Sequence, residues 1–496
     1  MTSAHEPKRI HIWLGAAFVV GLFVVLCDAK LYRPGDVFTI TENIQIAEAQ
    51  AWWQGRLDLP ERKWDSALFD GQVFSHFPPM FSILSALIVP VFHGVPHWFI
   101  VLAIALPIPL LAYALSRRLV GSAFGSAMLA TGLVCGTSAL PVLEKALRGA
   151  SPYAVNQALA LIGLLIFLCE YFGRGRVWVA GVGVVIAAWS RQMTLAYLLP
   201  LAWMAYRNGI SDQSAFRDSA APAGAVGNED RDNQGLRFAS PLATNLGPYR
   251  GRTTTHGESS SKGASSAQMG MIPRGLKSAA RWLGFFTPRS LPKRRVFVAL
   301  TARFGLIVTL AVGVPLGINW LKFGHPLESG YMYVYEGRED DVFVRDARAH
   351  GLFSTWYVPR NLYYANLGFP EVHRINRGEE REWYATPNDW GTGIWWTTPF
   401  SLYLFADWRR ILGSPRERML LFAAGLAYIG LMLYHSTGLD QRGLNRYSLD
   451  YLPALFALAA PGSIATPRRK CLTASFIVWG VLYFAVARHV TNIRIW

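Results

Sequence analysis

The stretch "YAVNQALALIGLLIFLCEYF", residues 153–172, sets the class of this protein. Its 20 residues carry one charge, Glu170, near the end. At about 1.5 Å per residue such a helix covers about 30 Å, the thickness of a bilayer's hydrocarbon core. Comparable apolar runs flank it on both sides: 10–27, 97–115, 122–139, 177–189, 194–206, 296–320, 393–406, 419–434, 447–460 and 471–487. With 153–172 these make about eleven candidate spans, several of them short. The run 79–93 is too short to cross comfortably and reads as an interfacial or re-entrant helix started by Pro78-Pro79.

Composition agrees. Of 496 residues, 52% are hydrophobic and 16% charged, and mean hydropathy is +0.23. Soluble domains carry about a quarter charged residues. An all-α integral membrane protein is therefore predicted. The net charge of +16 follows from topology, because Lys and Arg collect in cytoplasmic loops. It sits between apolar runs, which argues against a nucleic-acid partner. With eleven spans, the clusters at Lys8-Arg9, Arg117-Arg118, Arg174/Arg176, Arg409-Arg410 and Arg468-Arg469-Lys470 all fall on one side. That puts the N-terminus in the cytoplasm and the loops 28–96 and 321–392 outside. The four cysteines, Cys27, Cys135, Cys169 and Cys471, lie in or beside apolar runs and read as buried free thiols.

Three regions follow. Residues 1–206 form an N-terminal membrane module with the large first external loop, 28–96. Residues 207–295 carry 14 Lys/Arg against 6 Asp/Glu and lack apolar periodicity, so a disordered basic cytoplasmic insert is expected. Residues 296–496 form a C-terminal membrane module. In the first loop, Ile44, Ala47, Ala51 and Trp52 recur at helical spacing. Thr41 or Asn43 can cap that helix and Gly55 can end it, which predicts an amphipathic helix on the membrane surface.

The first loop closes on "WDSALFDGQVFSHFPPMFS", residues 64–82, a polar and aromatic patch among apolar runs. A first span, an acid opening the loop, Ala51 to Gly55, Asp70-Gly71 and His76-Phe77-Pro78-Pro79 together resemble the GT-C glycosyltransferases. The nearest resemblance is to bacterial lipid-linked-sugar transferases related to protein mannosyltransferases and aminoarabinose transferases. Residues 319–331, "NWLKFGHPLESGY", and 436–455, "STGLDQRGLNRYSLDYLPAL", add to it. The resemblance implies a GT-C-like fold in a bacterial inner membrane. It also implies inverting transfer of a sugar from a polyprenyl-phosphate donor to an acceptor glycan, lipid or protein on the external face, beside membrane lipid.

Such chemistry needs a carboxylate as general base or as holder of a divalent metal ion, and cations for the phosphate. Many such enzymes carry adjacent acids in the first loop, whereas here Glu42 and Asp36 stand apart. Glu42 is the first candidate for the carboxylate, or for a metal ligand, and Asp36 the second. Candidate substrate-binding residues are Asp70, His76, Arg191, Arg442, Arg446 and Tyr447. Arg191 is costly so near hydrocarbon unless paired or bound to an anion. Arg442 and Arg446 precede the run that begins at Tyr447, and a helix start favours an anion. The local alternative for them is an ion pair with Asp440 or Asp450. The aromatic residues of 321–392 fit an interfacial belt. The rival readings are a transporter or flippase of lipid-linked substrates, which would show broken helices and ionisable residues deep within spans, and a non-catalytic membrane scaffold of the same fold.

Overall fold

The computed structural model describes residues 9–27, 39–63, 65–147, 151–219, 294–335, 342–377, 380–386, 388, 390–435 and 445–493. Asp36, Arg148, Asp440, Arg442 and residues 220–293 of the expected insert lie outside them. The chain separates into two compact units: Met1–Asn208 with Val298–Trp496, and Gly209–Phe297. In the second unit the described residues are helical, at 209–219 and 294–297.

The first unit is mostly helical. Pro152–Tyr171 lies at its centre, and every residue from 154 to 171 except Ile166 is buried. A helix that is apolar all round must be covered all round. Arg9–Leu26 is the opposite case. It buries only Val19 and Phe23, while Trp13, Phe18 and Val25 are exposed, as a lipid-facing helix requires. Pro152–Tyr171 packs on Val177–Ser190 through two glycines. A Cβ on Gly163 would lie 2.4 Å from the Gly183 carbonyl oxygen, and one on Gly183 would lie 2.6 Å from that of Gly163. Small residues let two helix backbones come this close.

Among the described residues, five helices are long and apolar enough to cross a membrane: Arg9–Leu26, His97–Val120, Pro152–Tyr171, Thr301–Phe323 and Pro467–Val486. Ala123–Cys135 and Ala139–Leu147, bent by 65° at their junction, make a sixth if they form one broken span. The other apolar runs read in the sequence behave differently. Val177–Ser190 and Leu452–Ser463 are short helices. The run 194–206 begins as a 3-10 turn, Gln192–Tyr197, before the helix Leu198–Ser219. The run 393–406 breaks into Ile394–Thr397, Pro399–Leu402 and Tyr403–Ala406, because Pro399 interrupts it. Pro415–Leu433 starts on a charged turn capped by the Ser414 hydroxyl, which accepts from the Glu417 N–H. The run 79–93 folds as Met80–Ala86 and Val89–Phe92, neither long enough to span. Of the cysteines, Cys27, Cys135 and Cys169 are buried thiols outside any disulfide, as expected; Cys471 is likewise a thiol but exposed, on Pro467–Ile493.

The first-loop helix is Ile44–Trp53, capped by Asn43, whose side chain accepts from the Gln45 N–H at 2.9 Å. Gly55 follows it at φ 72°, the left-handed value that ends helices. It is not the surface helix expected. Residues 44–49 and Ala51 are all buried, against Met80–Ala86 and the helices behind it. The polar face can be buried because it is paired. Glu48 receives the Lys322 ammonium and the Ser82 hydroxyl, the latter at 2.5 Å, and Lys322 also donates to the Ser75 carbonyl at 2.8 Å. Gln45 and Asn156 exchange amide hydrogen bonds of 3.0 and 3.4 Å, and Gln45 also donates to the Pro78 carbonyl.

Candidate functional site

The first loop continues as a hairpin, Ser66–Phe69 paired with Gln72–Ser75, in which Phe69 faces Gln72. Asp70 (φ 50°) and Gly71 (φ 73°) form its two-residue turn. Asp-Gly suits a turn that needs two left-handed residues. This places Asp70 at an exposed tip, off the wall of the cavity that His76 lines. The hairpin delivers His76, Phe77 and Pro78 to the wall of a cavity of about 110 Å³.

Six other segments complete that wall. Tyr153 and Asn156 come from the first turns of the central helix. Ser190, Arg191, Gln192 and Met193 come from the break after Val177–Ser190. Ser329 and Tyr331 follow the Val314–Phe323 helix. Leu352 and Phe353 lie on one side, Leu431 and Tyr434 at the end of Pro415–Leu433, and Tyr447 on the 3-10 turn Arg446–Asp450. That volume is room for several waters.

Arg191 sits at an extended residue (φ −151°, ψ 110°) that stops the Val177–Ser190 helix. Its guanidinium meets the Asp450 carboxylate in a fork: Nε at 3.1 and 3.2 Å from the two oxygens and Nη2 at 2.8 Å from Oδ2. Asp450 is completely buried, so this pair neutralises both charges where water is excluded. The sequence offered Asp450 as a partner for Arg442 or Arg446; it serves Arg191 instead. The Tyr197 hydroxyl donates to the Asp450 carbonyl at 3.1 Å, and the Ser448 hydroxyl lies 3.0 Å from that of Ser138. These bonds fix the 3-10 turn. Tyr447 therefore does not begin a helix: the turn occupies 446–450 and the helix starts at Leu452.

The turn places two guanidiniums on one ring. Arg191 lies 4.8 Å and Arg446 5.1 Å from the centroid of Tyr447, and Arg446 also lies 5.3 Å from that of Tyr153. Tyr153 in turn donates its hydroxyl to Asp65 Oδ2 at 3.2 Å.

His76 packs against Phe77 at 4.2 Å and edge-on to Tyr331 at 4.9 Å. Both its ring nitrogens are buried without a partner in hydrogen-bond geometry. Burial pushes its pKa down to about 3; the Asp65 backbone carbonyl opposes this and the Lys322 charge adds to it. The imidazole is thus neutral at pH 7. His435, beside Tyr331 and Tyr434, is held down to about 4, by burial first and then by the Arg360 charge.

The structure thus brings together His76, Arg191 and Tyr447 on one wall, with Arg446 against two of its rings. Glu42 is exposed one residue before the Asn43 cap and does not line the cavity. Among the described residues, no three His, Cys, Asp or Glu side chains gather in a way that would hold a metal. Tyr331 lines the cavity rather than a membrane belt, and Tyr357 is fully buried; Trp356 and Tyr363 are exposed. Sequence reasoning missed Glu48, Lys322, Asp65, Tyr153 and Asn156. One signal was available: Asn156-Gln157 is a polar pair inside an apolar run, and such pairs are expensive in a membrane helix unless used.

No family model, curated protein or solved structure matches this chain.

Proposed function

We propose that this chain is a GT-C-type membrane glycosyltransferase. It takes a sugar from a polyprenyl-phosphate donor and passes it to an acceptor hydroxyl or amine on the external face of a bacterial inner membrane, its N-terminus being cytoplasmic. The observation that carries this reading is the cavity wall. Segments separated by hundreds of residues converge on a small aromatic pocket in a multi-span helical protein, and two guanidiniums lie on its Tyr447 ring. Arg446, over the rings of Tyr447 and Tyr153, brings positive charge to the phosphate. The isoprenoid tail lies outside, along the lipid-facing helices. A first-loop carboxylate takes the acceptor proton; the family pattern puts that role on Glu42 or Asp36.

A second reading has specific support. A carrier of lipid-linked substrates would use broken helices and buried charge pairs. The helix break at Arg191, the 65° bend before Ala139 and the two buried pairs Arg191–Asp450 and Glu48–Lys322 are of that kind. One experiment separates the two. Purified protein in proteoliposomes is given a polyprenyl-phosphate sugar and an acceptor extract, and both glycosylated product and donor translocation are measured. Product with Arg446→Ala raising the donor KM about tenfold or more, at little cost in kcat, supports the transferase. Translocation without product supports the carrier.

A further inference from the structure

We infer that Asp65 is the proton acceptor of this site, acting through the Tyr153 hydroxyl. The inference rests on the transferase reading and replaces the carboxylate that the family pattern suggests.

Glu42 and Asp70 are exposed and off the cavity wall. Glu48 is enclosed with Lys322 and Ser82, and Asp450 is enclosed with Arg191. Asp65 is half-buried, and its Oδ2 accepts a hydrogen bond from Tyr153, whose side chain lines the cavity. Because that phenol proton already points to Asp65, the lone pairs on the Tyr153 oxygen are left for a ligand proton. This polarity suits a relay that runs outward from the cavity.

The backbone is consistent with a placed residue. Asp65 has φ 63°, and left-handed non-glycine residues cluster where a side chain must be held in a set direction. The same residue's carbonyl faces the His76 ring closely enough to favour its charged form. Arg446, over the Tyr153 ring, stabilises negative charge that grows on the phenol oxygen as its proton leaves.

The step balances as follows. The acceptor oxygen forms a bond to the anomeric carbon as the bond from that carbon to the phosphate oxygen breaks. The phosphate departs with the electron pair. The acceptor proton moves to the Tyr153 oxygen while the Tyr153 proton moves to Asp65. Tyr153 ends as it began, and Asp65 ends protonated. In this scheme Tyr153 is the catalytic residue that touches the acceptor, and Asp65 is the residue that positions and recharges it.

The test uses the full chain in proteoliposomes with a polyprenyl-phosphate sugar as donor. Asn is the substitution of choice because it tolerates left-handed φ nearly as well as Asp. Asp65→Asn and Tyr153→Phe should each lower kcat by about 10²- to 10⁴-fold, the usual worth of a positioned acid or base. Donor KM should change by less than about twofold, and thermal stability should be retained. Should Asp65→Asn fold and turn over as wild type does, or Glu42→Gln abolish turnover while Asp65→Asn spares it, the relay is overturned and the transferase reading stands. Wild-type protein that makes no product overturns both.

Discussion

Removing one member of the Glu48–Lys322 pair should destabilise the protein far more than removing both. The Glu48 side chain is fully buried and that of Lys322 is 3% exposed. Their mutual contact, the Ser82 hydroxyl and the Ser75 carbonyl account for most of the available bonds. Lys322→Met strands a carboxylate with a single hydroxyl donor. Glu48→Met strands an ammonium on one carbonyl. Breaking a buried pair in this way costs about 3–5 kcal/mol, whereas replacing both ions with packed apolar side chains is often neutral. The entropy of unfolding is about 2.1 cal/mol/K per residue, so over roughly 400 residues of the first unit a loss of about 4 kcal/mol lowers the midpoint by about 5 °C. The assay is built into the chain: Cys27, Cys135 and Cys169 are buried, and a thiol-reactive dye reports their exposure on heating once the exposed Cys471 is changed to Ser. The expected order is wild type close to the double variant, with each single variant about 5 °C below. Single variants within 1 °C of wild type, or a double variant no better than the worse single one, would refute the claim that these charges stabilise each other in a dry site.

Two further outcomes are expected from the same assay. Gly163→Ala should lower the midpoint by several degrees, since its methyl group would meet the Gly183 carbonyl and the Ala187 backbone nitrogen at 2.4 and 2.6 Å, whereas Gly21→Ala, which meets nothing within 4 Å, should not. Acidification should destabilise the protein between about pH 6.5 and 4. His76 and His435 have folded pKa values of about 3 and about 4, below their unfolded value near 6.5, so the unfolded chain binds protons that the folded one refuses. Stability is full above pH 6.5 and falls by up to about 2.7 kcal/mol per histidine at pH 4.5. His76→Gln should make the midpoint measurably flatter over that range; an unchanged slope would show that His76 does not resist protonation.

The membrane class of this protein was legible from hydropathy alone, because burial of an apolar helix in lipid is decided by its own 20 residues. Local chemistry was legible too: Asn43 caps, Gly55 terminates, and Pro79 precedes a helix start, since each depends on neighbours a few residues away. His76, Arg191, Arg446 and Tyr447 could be singled out as polar or aromatic groups at the ends of apolar runs, and they do meet around one cavity.

Partnership was a matter for the tertiary structure. Nothing near Glu48 in the sequence announces Lys322, 274 positions away, so its helix read as a surface helix when it is an interior one. Nothing near Asp450 announces Arg191, and nothing near Asp65 announces Tyr153. Asp70, prominent in the sequence beside Gly71, serves a turn, while the quieter Asp65 accepts a hydrogen bond from the cavity-lining Tyr153. Hydrophobic periodicity is a sum over local side chains and can be read one window at a time. Whether a charge is paired, and therefore affordable in a dry interior, depends on which distant segment packs against it, and only the folded chain decides that.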